Sequence, residues 1–110
     1  MGKVPGEVDQ RKHRRDRVKL PVKYDALSHQ RRRMVRQEYV KLQGGRCYHC
    51  NGQLSGPPSA KVSMFWINRK LLPVHFFKHK IHLHHDHKTG LTIGAVHSHC
   101  NAVLWQYHHE

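Results

Sequence analysis

Three cysteines and one histidine set the strongest constraint on how this chain folds. Cys47-x-x-Cys50 is a close pair, and His97-x-x-Cys100 repeats its spacing with one thiol replaced by imidazole. Zinc takes four tetrahedral Cys or His ligands, usually as two such pairs that the fold brings together. The two pairs use every cysteine in the chain. A redox-active Cys-x-x-Cys is the competing reading for the first pair. It predicts a thioredoxin-like βαβ context, which the sequence lacks, and it leaves Cys100 without a role. His49 and His99 compete with His97 as fourth ligand, and the spacing favours His97.

A metal staple is what a chain of this size needs. The 110 residues make one domain with a tail. The first 46 residues hold 14 Lys and Arg against 5 acids and few apolar residues. Roughly sixty residues remain for a core, which by itself rarely supplies more than about 3–5 kcal/mol. Bound zinc contributes on the order of 10 kcal/mol to folding. No apolar h-region follows the basic N-terminus and no apolar run is long enough to span a membrane, so a reducing cytoplasm is the expected location. The formal net charge of +13 points to a polyanion, with nucleic acid the leading partner. A solvated basic tail without a specific partner is the plainer alternative.

Three regions follow from the pattern. Residues 1–24 carry Arg11, Lys12, Arg14, Arg15, Arg17 and Lys19 with no apolar periodicity. They read as a flexible basic arm, able to turn helical around 9–19, that contacts phosphates without sequence preference. Residues 25–44 hold an amphipathic helix over 26–43, with Leu27, Met34, Val35, Tyr39 and Leu42 near a 3.6-residue period. Asp25 or Ser28 caps it, Gly44–Gly45 ends it, and Arg31, Arg32, Arg33 and Arg36 decorate its polar side as candidate DNA contacts. Residues 45–110 form the zinc-bound domain. There 45–54 reads as a zinc knuckle in which Gly52 relaxes the backbone. The apolar runs 61–67 and 72–77 read as a hairpin, or one strand and a loop, that supplies much of the core. Residues 80–84 and 91–97 read as antiparallel strands, and 101–109 as a short helix with Leu104 and Trp105 turned to the core.

Ten of the thirteen histidines lie between His75 and His109. One cluster stands apart, His84-His85-Asp86-His87-Lys88-Thr89-Gly90, followed by Leu91-Thr92-Ile93, Gly94, Ala95-Val96, and then His97-x-x-Cys100-Asn101. With the Cys47-x-x-Cys50 knuckle ahead of it, this pattern resembles the HNH, or ββα-metal, nucleases, and among them the phage recombination endonuclease VII family. The likeness covers roughly residues 45–105. Taken alone, the histidine cluster would equally be a surface patch or a second zinc site.

The resemblance implies a small zinc-stabilised α+β fold of the ββα-metal (HNH, or His-Me finger) kind, with the helix and basic arm preceding it. It implies an endonuclease that hydrolyses DNA phosphodiester bonds, of phage or mobile-element type. His85 matches the general base. His84 and Asn101 match the ligands of a catalytic Mg2+ or Mn2+, and His87 matches a further site histidine. A structural Zn2+ on Cys47, Cys50, His97 and Cys100 would hold Asn101 to the site through the adjacent Cys100. Lys88 is a candidate phosphate contact. His84 stands where the family has Asp, and His97 where it has Cys. The spacer before the cluster is longer, so the aromatic stretch 61–77 is an insertion. The long helical region of the junction resolvases is missing from the sequence, so nicking or cleavage of double-stranded DNA by a monomer is expected over junction resolution. A zinc-stapled nucleic-acid-binding module without catalysis is the alternative.

Overall fold

A computed structural model describes residues 19–108. The arm residues Arg11, Lys12, Arg14, Arg15 and Arg17 lie outside that range.

A 3-10 turn at Tyr24–Ala26 leads into helix α1, His29–Leu42. Ser28, not Asp25, caps α1: its side chain accepts a hydrogen bond from the Arg31 amide. Gly44 and Gly45 end the helix with φ of 65° and 76°, a left-handed conformation that costs glycine little. Of the apolar positions expected to face inward, α1 buries Val35 and Tyr39, whereas Met34 and Leu42 are exposed.

The knuckle over 45–54 forms as expected, but Gly52 does not supply the conformational freedom. Asn51 takes the left-handed backbone, at φ 64°. Gly52 is small for a packing reason, since a Cβ there would meet the Cys50 sulfur and the Ser59 amide, both at 3.4 Å.

The expected hairpin over 61–77 is absent from the described residues. The stretch holds one turn of helix α2, Ala60–Ser63, a 3-10 turn at Arg69–Leu71, and loops. Its apolar residues do not alternate as a strand requires. Val62 and Ile67 reach the core, whereas Met64, Phe65 and Trp66 are exposed.

Strands β1, Ile81–His85, and β2, Thr92–His97, pair antiparallel. Ile81 faces His97 and His84 faces Gly94. The register then slips so that His85 faces Thr92, and Ile93 is left as the extra residue of a bulge. β2 runs directly into helix α3, Ser98–His108. The order β1–β2–α3 makes an α+β unit, and both α1 and α3 pack on its two strands. α3 buries Cys100, Ala102, Val103 and Leu104, but Trp105 is turned outward rather than to the core.

The outer edge of β2 is closed by a side chain. Gln43 Oε1 accepts from the Ala95 amide at 2.8 Å, and Gln43 Nε2 donates to the Ala95 carbonyl at 2.9 Å. The amide thus stands in for one residue of a third strand, and the Tyr48 amide adds a bond to the same carbonyl. The core itself is small: its largest fully buried side chains are Val35, Val96, Val103 and Cys100. Leu27, Tyr39, Leu54, Ile67, Leu83 and Leu104 are also buried, and each buried apolar side chain contributes about 1.5–3 kcal/mol against the entropy of ordering the chain. No helix among the described residues is long and apolar enough to cross a membrane.

Candidate metal centre and histidine cavity

The knuckle and the β2–α3 junction meet. The ligand atoms of Cys47, Cys50, His97 and Cys100 all lie within 4.8 Å of one another, so the four are placed to hold a metal ion. His97 is the fourth member, as its spacing suggested. His99 instead donates from Nε2 to the Val62 carbonyl, and His49 tilts against His108.

The orientation of His97 follows from its neighbours. Its Nε2 lies 2.8 Å from the Gln53 carbonyl, which only accepts, so Nε2 carries the proton. Nδ1 therefore keeps its lone pair and faces the sulfurs, 3.4 Å from Cys50 and 3.6 Å from Cys100. Zinc bonds of about 2.3 Å to sulfur and 2.0–2.1 Å to nitrogen give a tetrahedral S–N edge of roughly 3.5 Å. The distances fit that edge. Backbone amides surround the thiols: His49 and Cys50 donate to Cys47, and Gly52 and Ser59 to Cys50. A hydrogen bond from Cys100 holds the Cys47 thiol far down, at about 4, and the same contact with burial pushes Cys100 up. One thiolate is thus already favoured where a cation would sit.

The second centre lies one residue further along α3. His84, His85 and His87 from β1 and its following turn, and Asn101 from α3, line one cavity of about 270 Å3. Leu71, Leu72, Pro73, Phe76 and Trp105 complete its walls. The stretch 61–77, read from sequence as an insertion that supplies much of the core, thus contributes apolar wall here through Leu71, Leu72, Pro73 and Phe76. Successive strand residues normally point to opposite faces. His84 and His85 nevertheless both border the cavity, at the step where β2 carries its extra residue.

The turn after β1 is built by Asp86. Its carboxylate accepts from the Lys88 and Thr89 amides at 2.7 and 3.3 Å, and its backbone bonds Gly90 and Leu91. Those amide bonds lower the Asp86 pKa. Gly90 takes φ 78° to close the turn. Asp86, Thr89 and Gly90 therefore serve the turn, while Lys88 is exposed on it and does not line the cavity.

His85 has a partner the sequence did not suggest. The Tyr24 ring stacks on it, centroids 3.9 Å apart and 9° from parallel, while His87 meets it edge-on at 4.8 Å. Arg32 caps the far face of Tyr24, 4.1 Å from the ring centroid. Burial, then the nearby His87 and His84, hold the His85 pKa below its ordinary value, so the imidazole is neutral at pH 7.

His82 was also not singled out. It sits two residues before His84 and so shares its strand face. Its Nε2 donates to the Phe76 carbonyl at 2.8 Å, leaving Nδ1 to accept from Asn101 Nδ2 at 3.1 Å. Asn101 must present its amide nitrogen to His82, and its Oδ1 is left for the cavity. The alternation over 80–84, which puts His82 on the face of His84, is the sequence signal that could have marked it.

Comparison with protein-family models, with curated proteins and with solved structures gave no match.

Proposed function

We propose that the protein is a metal-dependent HNH endonuclease that hydrolyses DNA phosphodiester bonds. The observation that supports this most is the convergence of His84, His85, His87 and Asn101 on one cavity. These are the four residues that the family pattern marks for catalysis, and they come from two separate parts of the chain.

His85 is the general base. Neutral imidazole takes a proton from water as the water oxygen attacks phosphorus and the bond to the departing sugar oxygen breaks. The Tyr24 stack and the His87 edge hold the ring where it borders the cavity. His84 and the Asn101 Oδ1 would hold a divalent ion, which supplies charge stabilisation at the departing oxygen. Among the described residues no acid lines the cavity. Mg2+ favours oxygen ligands, whereas Mn2+ and Ni2+ tolerate imidazole, so this pair suits the latter ions better. Cys47, Cys50, His97 and Cys100 would hold a structural zinc, with all four positions filled by protein.

The missing carboxylate also favours a second reading, a zinc-stapled nucleic-acid-binding module without catalysis. The test incubates the protein with supercoiled plasmid and with a four-way junction, in Mn2+, Ni2+ and Mg2+, beside His85→Ala. Nicking or cleavage lost in the folded variant supports the nuclease. Binding with no cleavage in any metal supports the module, and a strong junction preference would make it a resolvase.

A further inference from the structure

Beside the cavity lies a larger groove, of about 940 Å3. One wall is a single face of α1. His29, Arg32, Arg33 and Arg36 fall at helical spacings of three, four and seven. The opposite wall is the loop before β1, with Pro73, His75, Phe76 and His79. None of the residues lining the groove is acidic. The two concavities share walls: Pro73 and Phe76 line both. Tyr24 lines the groove and stacks on His85 in the cavity.

We propose that this groove is a phosphate track, binding the sugar–phosphate backbone of the nucleic-acid strand that enters the cavity. The proposal rests on the reading of the cavity as the cleavage site. Three arginines of one helix face line this groove, and no acid lines it among the described residues. Arg32 rests on an aromatic ring, and its buried Nε meets no hydrogen-bond acceptor among the described residues. Burial and the adjacent Arg33 depress the Arg36 pKa, a strain that a bound anion relieves.

The ring faces decide between backbone and base. A strand held by its bases needs open aromatic faces. Tyr24 is sandwiched between Arg32 and His85, and Phe76 is engaged by Phe77 and His82. Apart from the imidazoles of His29, His75 and His79, what the lining offers is the positive charge of its arginines, which contacts phosphate and carries no sequence preference. Arg31 does not line the groove, so the four arginines of α1 are not equivalent.

The test uses full-length protein carrying His85→Ala, so that binding is read without cleavage. Fluorescence anisotropy measures its affinity for labelled single-stranded and duplex oligonucleotides from 50 to 200 mM salt. Adding Arg33→Gln and Arg36→Gln should weaken binding about tenfold at low salt and flatten the log–log salt slope by about 1.4–1.8. A charge-matched control, Lys61→Gln with Lys70→Gln, lies outside the groove and should change neither. Should the arginine pair fail to fold, His75→Glu with His79→Glu, both on exposed positions of the other wall, should weaken binding in the same way. Unchanged affinity and slope in the folded variants, equal loss in the control, or no binding by the parent would overturn the track. Cleavage is scored separately on protein with His85 intact, so a binding-competent protein that never cuts would sink the nuclease reading and leave the track standing.

Discussion

Tyr24 lies face to face on His85, its ring 3.9 Å away and nearly parallel, although 61 positions separate the two in the chain. The contact is anchored by the backbone, because the Tyr24 amide donates to the Gly90 carbonyl and Lys23 Nζ to the Thr89 carbonyl. Replacing Tyr24 by Leu should lower kcat about tenfold, about 1.4 kcal/mol in transition-state terms, with KM little changed. Tyr24→Phe keeps the ring and should keep the rate. Steady-state cleavage of a labelled duplex by both variants measures this, and equal losses would show that stacking is not the cause.

Metal removal should separate the two centres. A chelator strong enough to strip a metal from Cys47, Cys50, His97 and Cys100 should unfold the protein, because a structural zinc there would supply on the order of 10 kcal/mol to folding. Cys47→Ser should behave likewise. Mild depletion of the divalent ion proposed for His84 and Asn101 should stop cleavage while far-UV circular dichroism and the melting temperature stay unchanged. Metal analysis alongside the melts identifies which ion has left.

Acidification should reveal the poise of His85. Its pKa is held below its ordinary 6.5 by burial and by His87 and His84, and only the neutral ring accepts a proton. The acid limb of the kcat/KM profile should therefore fall below pH 6.5, with the rate lost as pH drops through the folded value. Removing the like charge in His87→Ala should move that limb upward. An unmoved limb in the variant would exclude His87 as a neighbour that matters to the base.

Stability should follow His82 in the same direction. Burial lowers its folded pKa beneath its ordinary 6.5, so on acidification the unfolded chain binds the proton first. Its contribution is complete above about pH 6.5 and is lost as pH falls through the folded value. Urea unfolding across pH 5–8 checks the slope, and His82→Gln should flatten it relative to the parent.

Gly94 should tolerate no side chain. A Cβ there would come within 2.8 Å of Gln43 Oε1 and 3.0 Å of the Tyr48 ring. Gly94→Ala should cost about 1–3 kcal/mol by forcing those groups aside, read as a lower urea midpoint at unchanged slope.

The parts legible in the sequence were those whose rules are local. Metal ligands come in close pairs, so Cys47, Cys50, His97 and Cys100 were readable from spacing. The stretch 80–84 showed alternation with 91–97 as its partner, and α1 showed its glycine stop and two candidate caps, Asp25 and Ser28. The rest depends on which distant residues meet. Met64 and Trp66 look like core by composition, yet no element lies over them, and they are exposed. The stack of Tyr24 on His85 and the pairing of Gln43 with Ala95 join segments more than fifty residues apart, and no local pattern encodes either contact. Gly94 was visible only as a spacing, and its reason is the Gln43 amide lying against it.

Ile93, the extra residue opposite the His84–His85 step, gives the site an unusual address. Deleting it would let the ladder continue unbroken and would remove the bend and added twist that the bulge puts at the step where both histidines reach the cavity. Any substitution at Ile93 leaves the count intact. A single-codon deletion should therefore distort the cavity without touching any group that lines it. The site is thus written partly in arithmetic: its sensitivity to insertion and deletion exceeds its sensitivity to exchange, and a length-variant scan of 91–94 would map that boundary.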